Sequence, residues 1–257
     1  MCTIAVYSIK GGVGKTATAV NLAALAALSG EKTLLIDLDP QASSTFYLKV
    51  KPKIKTTVKK LLKGKSLMEE SIKATSFVHL DIFPATFSFR ETEQILVNLE
   101  KPENRILHII EQVKDNYKWI FIDCPPGMSL LSSSIFNATD ILLLPVVPTT
   151  LSVRTHEDLM KYLEDHPLKK KSRALAFFSM VDRRKNLQKI ILDEWAESQS
   201  GFCEAVIPYL SDVERMGQFR KPVVEFRPGS DASKAFENLW AEIKKAAHEL
   251  SSRKKQD

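Results

Sequence analysis

The sequence predicts a doubly wound α/β fold, with a mostly parallel sheet and helices on both faces, on three observations. Short apolar runs alternate with segments of helical periodicity, the pattern of βα units. The run at residues 141–147 is continuously apolar, as a strand buried on both faces requires. Two other apolar runs, 33–39 and 118–123, end in aspartates, which places carboxylates where parallel sheets bind ligands.

The first apolar run, residues 3–9, reads as a strand, and residues 16–28 read as a helix. Between them stands Lys10-Gly11-Gly12-Val13-Gly14-Lys15-Thr16. Strand, glycine-rich turn and helix together aim backbone N–H groups and a positive helix end at a phosphate chain. Glycines let the backbone approach closely because no Cβ intervenes. Lys15 supplies a charge for the β/γ-phosphates, and the Thr16 hydroxyl is placed to ligate Mg²⁺. The strict G-x-x-x-x-G-K-[ST] pattern is not met, since its first glycine falls on Ile9; a second lysine, Lys10, follows instead. The loop binds a nucleotide.

The next strand ends in Asp37 and Asp39, expected on one side of it by their i, i+2 spacing, and Pro40 stops the pairing. A lysine-rich stretch follows, with a short helix at 58–62, a strand at 78–83 and helices at 88–99 and 102–113. Asp123 closes the strand 118–123, where a carboxylate commonly holds Mg²⁺, and Cys124-Pro125-Pro126-Gly127 is the turn after it. A helix at 151–164, a strand at 173–181, a helix at 187–198 and a strand at 203–207 ending at Pro208 come next. The closing helix, 232–250, carries Phe236, Leu239, Trp240, Ile243, Ala247 and Leu250 at helical spacing, a stripe for packing on the sheet. No repeat or linker divides the chain, so residues 1–250 are expected to form one domain and 251–257 a basic tail.

At 257 residues, 44% apolar and 26% charged, the chain can bury one substantial core. No stretch of 18 apolar residues and no leader-like N-terminus is present, and the three cysteines are scattered, so a reducing cytoplasm is expected. The net charge of +6 is unevenly spread. Eight lysines fall between Lys49 and Lys65, with no acidic residue from Asp39 to Glu69. Lys169, Lys170, Lys171 and Arg173 form a second cluster, and Arg253-Lys254-Lys255 a third. Such patches attract polyanions, although each taken alone also suits a solvated basic face.

The motifs KGGVGKT at 10–16, LLIDLDPQ at 34–41 and FIDCPPG at 121–127, in this order, resemble the ParA/MinD (SIMIBI) P-loop ATPases with their deviant Walker A loop. Val206-Ile207-Pro208 and Lys221-Pro222 before a closing helix add to the likeness, which spans essentially the whole chain and is nearest to short ParA-type ATPases. The resemblance implies ATP and Mg²⁺ as cofactors. It implies that Lys10 reaches across an ATP-sandwich homodimer to the partner's phosphates. Lys15 and Thr16 are then the phosphate and metal residues, within a loop of Gly11, Gly12, Val13, Gly14 and Ala17. Ala17 departs from a frequent threonine and so removes a hydroxyl near the α-phosphate. Asp39 orients the attacking water, Asp37 and Asp39 support the metal shell, and Asp123 is the Walker B carboxylate. Met180, within 179–182, and Pro208 edge the adenine pocket.

The function implied is a partition or positioning ATPase whose ATP dimer binds DNA non-specifically and is triggered by a ParB-like or other cargo adaptor. Candidate DNA contacts are Lys169, Lys170, Lys171, Arg173, Arg215, Arg220, Lys221 and the 49–65 lysines. The alternative is a MinD-like ATPase on membranes, which calls for an apolar face past the last core helix, and 251–257 has none. Iron–sulfur relatives need paired cysteines, which Cys124 and Cys203 lack, and an amidase needs a glutaminase domain for which there is no room. Cys124 reads as a small buried residue, and the five histidines show no ligand spacing.

Overall fold

The computed structural model describes residues 1–166, 172–198 and 201–254. Its strands are β1 (Cys2–Val6), β2 (Thr33–Asp37), β3 (Lys73–Ala74), β4 (Leu80–Phe83), β5 (Trp119–Asp123), β6 (Ile141–Val146), β7 (Arg173–Val181) and β8 (Ile207–Pro208). They form one sheet in the order β3-β4-β2-β5-β1-β6-β7-β8. All neighbours pair in parallel except β3 with β4. Central β1 lies between β5 and β6, where the winding reverses, and a crevice therefore opens at the carboxyl ends beside it.

Strand alternation sends Ile4 and Val6 to one core and Ala5 and Tyr7 to the other. The first core is covered by the alanine-rich helix Lys15–Leu28 and the closing helix Asp231–Lys254. Alanine loses no side-chain entropy in a helix and lets it sit close to the strands. Trp240 anchors the closing helix edge-on to Trp119, ring centroids 4.8 Å apart, and tilted on Phe121 at 5.8 Å. Such aromatic pairs are worth about 0.5–1.5 kcal/mol each beyond their buried area. The second core takes Ile135 and Phe136 from helix Leu130–Ala138, Leu159 from helix Thr150–Asp165, and Val58, Leu61 and Leu62 from helix Val58–Leu62.

Several expectations need correcting. The strand expected at 203–207 is reduced to Ile207–Pro208 and a single bridge between Ala176 and Phe202. The Glu204 and Ala205 N–H groups donate to the Glu242 carboxylate of the closing helix, at 2.9 and 2.7 Å, so they are not free for a ladder. The two-residue β3 is too short to leave an apolar pattern and was not expected. The strand β2 ends at Asp37, so Asp37 and Asp39 do not share a strand face. The closing helix runs past residue 250 to Lys254, into what reads as a tail. Among the described residues, no helix is long and apolar enough to cross a membrane.

Candidate nucleotide site

The glycine-rich loop leaves β1 and becomes the cap of the next helix. Gly12 and Gly14 have φ of 71° and 90°, which a side chain would strain, and Gly14 is the helix N-cap. A Cβ on Gly14 would stand 2.9 Å from Ser179 Oγ, so the loop is packed directly against β7. At Gly11 and Gly12 the space that a Cβ would enter is open. Val13 is buried and anchors the loop. Lys15 is also buried, and its Nζ donates to the Lys10 carbonyl at 3.0 Å. Burial pushes the Lys15 ammonium below its usual range, opposed by the carboxylates of Asp123 and Asp39.

Asp37 and Asp123 are register partners at the ends of β2 and β5, and both are fully buried. Their partners come from one short helix, Ser43–Tyr47. Thr45 donates both its N–H and its hydroxyl to Asp37 Oδ2, at 2.8 and 2.7 Å, and Ser44 donates its hydroxyl to Asp123 Oδ2 at 2.7 Å. Asp37 Oδ1 accepts the Asp39 N–H at 3.3 Å, so the inner aspartate steadies the outer one. Asp123 Oδ1 has no hydrogen-bond partner. Desolvation raises both carboxyls, Asp37 further through the charge of Asp123, while the Ser44 and Thr16 hydroxyls pull Asp123 back. A buried carboxylate oxygen with nothing to accept is a costly arrangement that a cation or ordered water relieves.

These groups open on a cleft of about 510 Å³, lined by Gly11, Gly12, Gly14, Lys15, Thr16, Ala17 and Asp39 on one side. The other side holds Ser179, Met180, Pro208, Tyr209, Val213 and Phe236. Met180 enters it through a bulge, with φ of 56° and a register shift between Ser179 and Val181. Met180 and Pro208, far apart in sequence, thus meet the phosphate loop across one cleft. Lys10 does not line the cleft, although Gly11, Gly12, Gly14 and Lys15 of the same loop do. A second hollow, about 660 Å³ between Phe178, Trp195 and Phe202, contains none of these groups. Cys124 is fully buried and its thiol is raised well above its usual range by desolvation, which fits packing and not nucleophilic work.

The basic candidates divide. Arg215, Arg220 and Lys221 gather on the segment before the closing helix, but Arg215 pairs with Asp212 at 3.5 Å and Lys221 with Glu225 at 2.7 Å. Arg173 opens β7, at the end of the sheet opposite the cleft, and pairs with Glu249 at 3.0 Å. Lys169, Lys170 and Lys171 lie outside the described residues. Sequence reasoning missed Ser44 and Thr45; the hydroxyl run Ser43-Ser44-Thr45 directly after Asp39-Pro40-Gln41 was the available signal.

A family model described as an AAA domain matches residues 1–175. The sporulation initiation inhibitor protein Soj of Bacillus subtilis is 31% identical over 245 residues, covering 93% of this chain and 97% of Soj. The chromosome partitioning protein ParA of Myxococcus xanthus is 30% identical over 260 residues, covering 98% of this chain and 91% of that protein. The cobyrinic acid a,c-diamide synthase of Mycobacterium smegmatis, solved with ADP and magnesium, superposes with a TM-score of 0.78 at 22% identity, covering 95% of this chain and 94% of that one. At that identity the likeness is one of fold. The sequence matches, the phosphate loop and the two strand-end carboxylates agree: the chain belongs to the ParA/MinD family of P-loop ATPases.

Proposed function

We propose that this chain is an ATP-dependent, dimerising ATPase that binds DNA non-specifically in its ATP state and partitions or positions a cargo in the cytoplasm, with a ParB-like or other adaptor stimulating hydrolysis. One observation carries the reading. Gly11, Gly12, Gly14 and Lys15 line the chain's own cleft, whereas Lys10, in the same loop, does not. Among the described residues Lys10 enters no ion pair, so its ammonium is available to the nucleotide of a second protomer. The names of ParA and Soj relatives support the partition role.

The residues fit Mg-ATP, by the unpartnered Asp123 Oδ1, the buried Lys15 and the open space over Gly11 and Gly12. Bound Mg-ATP supplies the phosphoryl group and a charge-neutralising cation. Thr16 and Asp123 would hold the cation, with Asp37 and Asp39 supporting its shell, and Lys15 and the loop amides would hold the phosphates. Met180 and Pro208 edge the base. Asp39 lines the cleft while its Oδ1 accepts the Gln41 N–H at 2.9 Å, which leaves Oδ2 to orient a water. Lys10 of each protomer neutralises charge in the other's transition state, so turnover requires the dimer. The test is binding to random-sequence duplex DNA with ATP and with ADP. Salt-sensitive binding with ATP alone is expected, and equal binding in both states contradicts the switch.

A further inference from the structure

The lysine-rich run from Lys49 to Lys65 takes no part in the nucleotide site. All eight of its lysines are exposed, while Ile54, Val58, Leu61 and Leu62 between them are buried in the second core. The run is therefore a platform fixed by its apolar side and not a loose basic tail. Lys73 ties it to the sheet by donating from Nζ to the Lys51 carbonyl at 3.0 Å. Partial burial, with Lys53 and Lys51 beside it, pushes the Lys73 ammonium below its usual range, a mark of crowded positive charge.

None of the eight lysines enters an ion pair among the described residues. Arg173, Arg215 and Lys221, by contrast, each hold a resident carboxylate, against which an incoming phosphate must compete. The run contains no arginine. Lysines bind phosphate as mobile point charges, and a row of them, exposed and spaced two residues apart from Lys49 to Lys55, complements the repeating charge of a phosphate backbone.

The platform also adjoins the nucleotide machinery. The Phe46 carbonyl accepts both the Lys49 N–H, at 3.1 Å, and Arg220 Nε, at 3.0 Å. The Arg220 guanidinium lies 4.4 Å over the Phe46 ring. Phe46 belongs to the helix whose Ser44 and Thr45 hold Asp123 and Asp37. The lysine platform and the basic segment around Arg220 thus join at one carbonyl oxygen, on the helix that closes the metal side of the cleft.

We propose that Lys49, Lys51, Lys53 and Lys55, continued through Arg220, are the principal surface on which this chain holds the phosphate backbone of duplex DNA. The proposal rests on the DNA-binding reading above and assigns that binding to a surface.

The experiment is a fluorescence-anisotropy titration of a labelled random-sequence duplex with the full chain and Mg-ATP, over a series of salt concentrations. The variant Lys49→Gln/Lys51→Gln/Lys53→Gln/Lys55→Gln is expected to lose about 3–4 from the slope of log K against log salt, and about tenfold or more in affinity. Arg215→Gln/Lys221→Gln is expected to lose no more than about 1–2 from that slope. The single variant Lys51→Glu moves the slope in the same direction, and melting curves confirm that each variant is folded. Wild-type slope and affinity in the quadruple variant overturn the proposal. So does a quadruple variant that keeps duplex binding but loses binding to phosphatidylserine vesicles or polyglutamate. If the wild-type chain binds no duplex with ATP, the DNA reading itself fails and the proposal falls with it.

Discussion

Ser44 donates its hydroxyl to Asp123 Oδ2 at 2.7 Å, and both side chains are fully buried. The bond holds helix Ser43–Tyr47 against the end of β5, beside a carboxylate whose other oxygen is already unpartnered. Ser44→Ala leaves the whole buried carboxylate without its hydroxyl donor from that helix. The expected loss is about 1–3 kcal/mol of stability, read as a lower urea midpoint for the nucleotide-free protein. An unchanged midpoint contradicts the structural role given to this bond.

Asp39 sits outside the strand, with its N–H on Asp37 and one carboxylate oxygen fixed by Gln41. Asp39→Ala is expected to lower ATP turnover by about 10²–10⁴-fold, the range for a positioned catalytic carboxylate. The loop and Lys10 remain, so the variant accumulates as an ATP-bound dimer in light scattering. Wild-type phosphate release from this variant removes Asp39 from the reaction.

His156 lies between the rings of Trp195 and Phe202, at 5.9 and 5.2 Å, and burial lowers its pKa to about 4. The folded protein keeps the imidazole neutral, while the unfolded chain binds a proton near its ordinary value of about 6.5. This contribution is therefore complete above pH of about 6.5 and is lost as the pH falls toward 4, by at most about 3 kcal/mol. Urea midpoints at neutral pH and at pH of about 5 measure it, and His156→Phe is expected to flatten the difference. A wild-type profile that rises on acidification over that window contradicts the assignment.

The parts legible in the sequence were those with a local physical signature. Residues 10–16 announce their loop because glycine, lysine and threonine are each required by what a phosphate loop does. The central strands β1, β2, β5 and β6 announce themselves because burial on both faces demands unbroken apolar runs. What stayed hidden depends on distant partners. Glu242 of the closing helix captures the N–H groups of Glu204 and Ala205, and nothing near residue 204 signals it. Likewise, Thr45 becomes the partner of Asp37, and Met180 turns into the cleft, only once the strands have aligned. The lysine run was visible as charge, but its fixation by Ile54 and its junction with Arg220 at Phe46 belong to the tertiary fold.

The most direct test concerns Lys10, the loop lysine that does not line its own chain's cleft. Lys10→Ala is to be compared with the wild-type chain for nucleotide affinity, ATP-induced dimerisation by light scattering, and turnover. The expected result is retained nucleotide binding, no ATP-induced dimer, and turnover reduced by about 10³-fold or more, as for loss of a charge supplied in trans. A Lys10→Ala chain that still dimerises with ATP and turns over at the wild-type rate contradicts the account.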